Sequence, residues 1–216
     1  VDLASPGVTT GDIHGKQGVR TGSTGWINFQ DVRVPAANMI GEEGEGFKVT
    51  MSAFDSGRYT VAAGATGIIR ASMEASVNYA NDREAFGNPI AQHQMIQAKI
   101  ARMALDYEAA RLLYLQAGWC KNQGIRNTRQ TGAAKWYATD ASFAAANEAI
   151  QIHGAYGFSD EYDVERYLRN AKGAVIYEGS NEIQRLIQAS YAYGWRKDKP
   201  LRKEMPAYDE VLWQDE

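Results

Sequence analysis

The sequence has few of the side chains that bind metals or form covalent cross-links. Its 216 residues include one cysteine, Cys120, which excludes an intramolecular disulfide and a cysteine-based zinc site. Its three histidines, His14, His93 and His153, are too widely spaced for a His-x-x-x-His metal pair. No apolar run approaches the roughly 20 residues of a membrane-spanning helix. We therefore expect neither a metal centre nor a membrane span.

The sequence also lacks a strong excess of either charge. Its 23 basic and 26 acidic residues are interspersed and leave a net charge of −3. This pattern argues against a nucleic-acid-binding surface and against a basic membrane-binding face. Apolar residues make up 44% of the chain, which is typical of a globular protein with a sizeable core.

Three common catalytic motifs are missing. No Gly-x-Gly-x-x-Gly follows a predicted strand, so a Rossmann dinucleotide site is unsupported. Gly15-Lys16 is followed by Gln17 rather than by Ser or Thr, so there is no P-loop. The Gly-x-Ser-x-Gly turn of many hydrolases is also absent. The sequence thus contains no recognisable hydrolase or metalloenzyme machinery.

Residues 1–41 are predicted to form two or three antiparallel strands. This part is rich in Gly, Thr and Val, and side chains alternate in character from Gly25 to Val34. Pro35 is predicted to end the last strand, because proline lacks a backbone N–H. An acidic, glycine-rich turn follows from Gly41 to Gly46.

From Phe47 the apolar residues follow steps of three and four, which predicts helices. We expect a first helix to about residue 79 and a loop over 81–89. Further helices are expected over about 90–119, 128–152, 164–170 and 180–193. The fold class is therefore mainly α: a partial antiparallel β-domain over 1–41, a four-helix bundle over 42–194, and an irregular surface tail over 195–216.

Two of these helices have predicted core faces. The second has a regular four-three seam, as in an antiparallel bundle, made of Ile96, Ile100, Met103, Tyr107, Ala110, Tyr114 and Ala117. The buried candidates on the third are Ala133, Trp136, Tyr137, Phe143, Ala144 and Ile150. Cys120 is expected to be buried or half-buried. On the first helix, the small side chains of Ala62–Gly67 permit either tight helix packing or contact with a ligand.

The segment from Ile176 to Arg185 is the most informative for chemistry. It places Glu178 in a Tyr-Glu-Gly loop just before a helix that begins at a Ser/Asn cap. Gly179 has no Cβ, so another molecule can approach the backbone closely. Glu178 can therefore be a base aimed by its loop, or simply an exposed residue in a turn.

Five segments in order resemble the acyl-CoA dehydrogenase flavoprotein family. Besides residues 176–185 they are Asn28–Pro35, Gly44–Lys48, Arg83–Gly87 with His93-Gln94, and Gln151–Gly157. The resemblance covers nearly the whole chain except about its last twenty residues. In the family, a helical domain and half of a β-domain precede this part. We therefore expect the sequence to be a fragment that alone is inactive and binds FAD poorly or not at all.

The resemblance implies α,β-dehydrogenation of an acyl-CoA thioester to the trans-2-enoyl-CoA, with hydride transfer to FAD. Glu178 would be the catalytic base, and the substrate-side positions would be Asp55, Arg58, Tyr177 and Gly179. Some branches of the family carry the base at the position of Gly57, which cannot act. Arg58 could equally be a structural cation that pairs with Glu178 or Asp55.

The resemblance also implies a set of FAD-binding positions. They are Arg83, Phe86, Gln94, Gln151, Ile152, His153, Gly154, Ala155, Ser180, Asn181 and Glu182. The run from Gln151 to Ala155 would reach the adenosine part from a neighbouring subunit. Arg83 and Gln94 could instead be ordinary surface residues. Three residues depart from the family pattern: Ser180 replaces Thr, Asn181 replaces Ser, and Ala85 stands where a hydroxyl residue is common.

Partners and compartment are also expectations from the resemblance. It implies electron-transfer flavoprotein as the acceptor, a homo-oligomer (dimer or tetramer), and either the bacterial cytoplasm or the mitochondrial matrix. Two alternatives stay open for the function. One is a flavin-dependent oxidase or monooxygenase on the same scaffold, and the other is a non-catalytic helical assembly domain.

Overall fold

The computed structural model describes residues 1–198, which form a small β-hairpin followed by a helical bundle. The strands β1 (Val8–Asp12) and β2 (Gly25–Phe29) pair antiparallel, with Val8 opposite Phe29 and Asp12 opposite Gly25. The later elements, in chain order, are α1 (Gly46–Asp82), β3 (Glu84–Ala85), β4 (Asn88–Pro89), α2 (Gln94–Asn122), α3 (Thr128–His153), α4 (Val164–Ala174) and α5 (Asn181–Ala192). Short 3-10 helices cover Ala36–Asn38, Ile90–Gln92 and Gly154–Phe158.

The core lies between α1, α2 and α3 and is built largely from alanine. Small side chains let helix backbones approach closely, and a few larger residues fill the remaining space. Ile69, Met103 and Ile152 are large apolar side chains of this core that are almost completely buried. The buried alanines are Ala62, Ala65, Ala80, Ala110, Ala134, Ala138, Ala141, Ala145 and Ala149. The helix α1 is about 55 Å long at 1.5 Å per residue, which is longer than α2 or α3.

The predicted fold class is confirmed: the chain is mainly α, with short antiparallel strands before a helical bundle. The seam predicted on the second helix is buried or half-buried at every position from Ile96 to Ala117 that it includes. Cys120 is buried, as expected. In the small-residue segment of α1, Ala62 and Ala65 pack in the core, whereas Gly64 and Gly67 are exposed.

The predicted core face of α3 was wrong in part. Phe143 is 36% exposed and Ala144 is also exposed. The Phe143 ring lies under the Lys172 ammonium, 5.4 Å from it. The buried face instead follows Ala134, Ala138, Ala141, Ala145 and Ala149. The aromatic residues that dominated the prediction lie at the edge of this stripe of alanines.

Several predicted boundaries also differ from the structure. β2 ends at Phe29, because Asp31 has a positive φ of 51° that interrupts an extended strand; Pro35 instead precedes a 3-10 helix. The segment predicted as a loop is partly helical and partly a tight hairpin, whose turn is formed by Phe86 (φ 56°) and Gly87 (φ 85°). The fourth helix continues four residues beyond its predicted end. Most of the predicted tail, from residue 199 onward, lies outside the described residues.

None of the helices within residues 1–198 is long and apolar enough to cross a bilayer. The same part of the chain contains no group of three or more His, Cys, Asp or Glu side chains arranged to hold a metal ion.

Candidate active site

The turn between α4 and α5 places Glu178 in a left-handed backbone conformation. The N–H groups of Ile176 and Tyr177 both donate to the carbonyl of Gly173, which closes the end of α4. Glu178 then has φ 57° and Gly179 has φ 82°. Such a conformation is disfavoured for a residue with a Cβ, by about 1–2 kcal/mol. Strained backbone of this kind is often found at functional sites.

The carboxylate of Glu178 lies against Gly57 of α1. A Cβ added at Gly57 would lie 2.6 Å from Oε2 and 2.8 Å from Cδ of Glu178, so the carboxylate can keep this position only beside a glycine. Oε2 is buried and has no hydrogen-bond partner among residues 1–198. The carboxylate thus faces the bundle rather than solvent, with one oxygen that no neighbouring donor occupies. A buried acceptor left unpaired in this way is costly and is typical of a functional group.

The backbone around Glu178 is held through its carbonyls. The Arg58 Nε donates to the carbonyl of Glu178 at 3.3 Å. The Gln184 Nε2 donates to the carbonyl of Gly179 at 3.0 Å and lies 3.5 Å from that of Glu178. The N–H groups of Glu178 and Gly179 donate to no backbone carbonyl within the described part of the chain. In this turn the carbonyls of Glu178 and Gly179 therefore accept hydrogen bonds, whereas their two N–H groups, beside the carboxylate, are unpaired.

Arg58 is a buried cation that contacts both of the partners suggested for it. It is 5% exposed, and its Nη1 lies 3.2 Å from Oδ1 of Asp55. The other oxygen of Asp55 accepts the Thr128 hydroxyl at 2.6 Å. Burial lowers the pKa of Arg58, against the opposing charges of Asp55 and Glu178. Arg58 thus pairs with the carboxylate of Asp55 and with the backbone, rather than the carboxylate, of Glu178.

The start of α5 is fixed by a buried lysine that the sequence analysis missed. Lys135 of α3 is completely buried, and its Nζ donates to Oδ1 of Asn181 at 2.8 Å. The Asn181 amide in turn donates to Oδ1 of Asp140 at 2.7 Å and to the Thr139 hydroxyl at 2.9 Å. Burial lowers the pKa of Lys135 to about 8. The sequence feature that indicates its burial is its position beside Ala134 and Ala138, on the buried face of α3.

A groove of about 330 Å³ adjoins this turn. The α1 residues Val61, Gly64, Ala65 and Ile68 line it together with Tyr177. A Cβ added at Gly64 would meet nothing within 4 Å, so the small-residue segment of α1 is open on this side. Burial, and secondarily the charge of Glu178, raise the pKa of Tyr177. Thr60 and Asn170 also line the groove, which therefore offers a partly apolar space beside Tyr177, the residue before Glu178.

Of the predicted FAD-binding residues, three open α5. Ser180 is its N-cap, Asn181 is buried and Glu182 is exposed. Hydrogen bonds from its own backbone N–H and from the Ser180 hydroxyl lower the pKa of Glu182. The N-terminus of α5 therefore already has a carboxylate of the same chain beside it.

The other predicted FAD-binding residues lie at the opposite end of the bundle. Arg83, Phe86 and Gln94 are all exposed, Phe86 to 94%, around the β3–β4 hairpin. His153 is buried, with its ring stacked on Tyr79 at 4.2 Å. Burial lowers the pKa of His153. Ile152 is buried as well, whereas Gln151, Gly154 and Ala155 are exposed.

Two groups of predicted residues thus lie far apart in one chain. Asp55, Arg58, Tyr177, Glu178 and Gly179 are together beside the start of α5. The hairpin group is separated from them by the 25 residues of α1 between Gly57 and Arg83, which is about 40 Å.

Comparison with known proteins identifies the family. The description "Acyl-CoA dehydrogenase, C-terminal domain" matches residues 44–192, which is more than half of the chain. The chain belongs to the acyl-CoA dehydrogenase family. Members of this family are flavoprotein oxidoreductases.

Individual relatives in the acyl-CoA dehydrogenase family agree with this assignment. The chain is 44% identical over 183 residues to the short-chain specific acyl-CoA dehydrogenase of Megasphaera elsdenii, covering 85% of this chain and 48% of that protein. The solved structure of butyryl-CoA dehydrogenase from Megasphaera elsdenii is 42% identical with a TM-score of 0.86, covering 89% of this chain and 50% of that one. The prolyl acyl carrier protein oxidase AnaB is 30% identical with a TM-score of 0.86, covering 89% and 51%. The chain spans about half the length of the relatives it matches.

Proposed function

We propose that this chain provides the catalytic base of an acyl-CoA dehydrogenase, and that the base is Glu178. The observation that carries the proposal is the buried, unpaired Oε2 of Glu178 beside Gly57, with a partly apolar groove lined by the adjoining Tyr177. A carboxylate whose oxygen has no internal donor is available to accept a proton from a bound substrate. The reaction is removal of the α-proton of an acyl-CoA thioester and loss of a β-hydrogen as hydride, which gives a trans-2-enoyl-CoA.

The backbone of the same turn supports stabilisation of the enolate. Proton removal places negative charge on the thioester oxygen, which requires hydrogen-bond donors fixed in advance. The unpaired N–H groups of Glu178 and Gly179 are such donors, and their carbonyls are already occupied by Arg58 and Gln184. Because Gly179 has no side chain, a thioester can approach these donors closely. We assign the acyl chain to the groove lined by Val61 and Ile68.

FAD is the cofactor that this family membership supports, and when bound it supplies the acceptor for the hydride. The exposed Arg83, Gln94 and Phe86 suit the pyrophosphate and adenosine part, since a guanidinium matches phosphate oxygens and an aromatic ring stacks on a base. The exposed backbone of Gly154 and Ala155 is available nearby.

The distance between the two groups of residues supports an FAD site shared between chains. The hairpin lies about 40 Å from Gly57 along α1, which is longer than an FAD molecule. We therefore propose a homo-oligomer in which the hairpin of one chain binds the FAD that lies beside Glu178 of another chain. Electron-transfer flavoprotein is proposed as the acceptor on the basis of the family resemblance.

The test is the Glu178→Gln variant in the flavin-loaded protein. The variant keeps the size and hydrogen-bonding capacity of the side chain but is not a base, so flavin content should stay unchanged while bleaching by acyl-CoA is lost. The exposed Glu161→Gln variant serves as the control and should bleach normally. A panel of acyl-CoA chain lengths on the wild type would define the substrate.

Three results would redirect the proposal. Bleaching of Glu178→Gln at the normal rate would remove Glu178 from the mechanism. Rapid re-oxidation of the reduced flavin by O₂ would favour an oxidase, a class to which the prolyl acyl carrier protein oxidase among the structural relatives belongs. A colourless oligomer of the full-length protein that does not bind flavin would favour an assembly domain.

A further inference from the structure

Gln184 is a fully buried side chain that reaches back to the turn before its own helix. It lies in the first turn of α5, and its Nε2 donates to the carbonyl of Gly179 at 3.0 Å. The same nitrogen lies 3.5 Å from the carbonyl of Glu178. The amide therefore joins α5 to both residues of the turn that have a positive φ.

Two glycines make room for this amide. A Cβ added at Gly179 would lie 2.8 Å from the Gln184 Nε2. On the opposite side, a Cβ added at Gly132 of α3 would lie 3.1 Å from the Gln184 Oε1. The amide is thus enclosed between the turn and α3. Its Oε1 has no hydrogen-bond partner among residues 1–198, so the contacts to the turn are the ones its polar atoms make in this part of the chain.

The turn needs such support because Glu178 has a disfavoured conformation. Residues with a Cβ and a positive φ persist where surrounding contacts hold them. Besides Gln184, the buried Arg58 of α1 donates to the carbonyl of Glu178 at 3.3 Å. Donors from two separate helices therefore hold the peptide groups from which the Glu178 side chain and its N–H project.

We propose that Gln184 is a positioning residue that keeps Glu178 in its left-handed conformation, with its carboxylate against Gly57 and its N–H unpaired. The inference rests on the proposed role of Glu178 as the base, and it extends that role to a residue that does not touch the substrate. Proton transfer is sensitive to small displacements, so loss of this support lowers the rate of the chemical step more than substrate affinity.

The neighbouring Gln188 provides a matched control. It lies one turn further along α5, and its Nε2 donates to the carbonyl of Arg129 at 2.8 Å. Both glutamines thus join α5 to a backbone carbonyl, but Gln188 anchors the helix to α3, away from the Glu178 turn. If Gln184 only anchored α5, the two substitutions would have similar effects.

The experiment compares Gln184→Met with Gln188→Met. Hydrogen–deuterium exchange of the flavin-free chain should be at least fivefold faster over residues 177–180 in Gln184→Met and unchanged there in Gln188→Met. In the flavin-loaded protein, kcat should fall at least tenfold for Gln184→Met with KM within twofold of the wild type. Gln188→Met should keep both values. If Gln184→Met fails to fold, Gln184→Asn, whose amide is too short to reach the turn, should give the same pattern.

The outcomes separate this inference from the proposed function. Equal exchange in the two variants, or losses of kcat that merely follow their melting temperatures, would overturn the positioning role. If exchange differs as expected but acyl-CoA does not reduce the flavin of the full-length wild-type protein, Gln184 still holds the turn and the proposed reaction is wrong.

Discussion

At the scale of single residues, the contact between Gly57 and Glu178 gives a direct test by substitution. In Gly57→Ala the added Cβ would fall 2.6 Å from Oε2 of Glu178, so the carboxylate must move. Alanine is favoured over glycine inside a helix by about 0.5–1 kcal/mol, so the fold should be kept. We expect turnover to fall at least tenfold with little change in melting temperature, measured on the flavin-loaded protein.

Gly67 is the matched control for this substitution. It lies in the same helix, is exposed, and a Cβ there would meet nothing within 4 Å. Gly67→Ala should therefore stabilise the protein by up to about 1 kcal/mol without loss of turnover. Equal activity in the two variants would show that the Glu178 carboxylate does not need the space at Gly57.

The residue scale also shows what the sequence could predict of the site. Glu178 was identifiable because its neighbours in sequence form a family signature. Gln184 lies in that signature, but its contact depends on a left-handed turn that the sequence does not reveal. Gly57 lies against the Glu178 carboxylate, and Lys135 donates to Asn181. Both contacts join residues that are far apart in sequence. Such contacts depend on helix packing, which local patterns do not specify.

At the scale of elements, α3 and α5 meet through a polar junction whose stability depends on pH. Burial lowers the pKa of Lys135 from its ordinary value of 10.5 to about 8, with Asp140, Arg58, Glu182 and Glu178 as the charges around it. Between about pH 8 and 10.5 the unfolded chain therefore holds a proton that the folded chain has released. Unfolding takes up that proton, so a rise in pH favours the folded state through this group.

The prediction concerns the difference between the wild type and Lys135→Met. Titration of other groups cancels in this difference, so the wild type should gain relative stability from pH 8 to 10.5, on the order of 3 kcal/mol. Urea unfolding at several pH values measures it. A difference that stays constant over this range, or that decreases, would contradict a buried Lys135 with a lowered pKa.

The positions of the helices were largely predictable from the sequence. The residues on their buried faces were less predictable. Regular spacing of large apolar residues identified the helices and the seam of α2. On α3 the core face is made of alanines, which contrast little in hydrophobicity with their neighbours, so the larger Phe143 was given a buried position that it does not have. The hairpin turn at Phe86 was missed because a bulky residue with a positive φ is uncommon.

At the scale of the whole molecule, the length of α1 decides what one chain can do alone. The Glu178 end and the hairpin end are separate surfaces of the same bundle, about 40 Å apart. In the proposed homo-oligomer each complete site draws on two chains. The hairpin and the Glu178 of one chain thus contribute to two different sites.

This separation has a genetic consequence. A chain with Glu178→Gln keeps an intact hairpin, and a chain with Arg83→Ala keeps an intact Glu178, so each alone should be inactive. Co-expressed, the two should complement each other, because a mixed pair contains one site with both defects and one site with neither. Activity recovered from two inactive alleles would establish shared sites, and none recovered from mixed oligomers would mean that each chain completes its own.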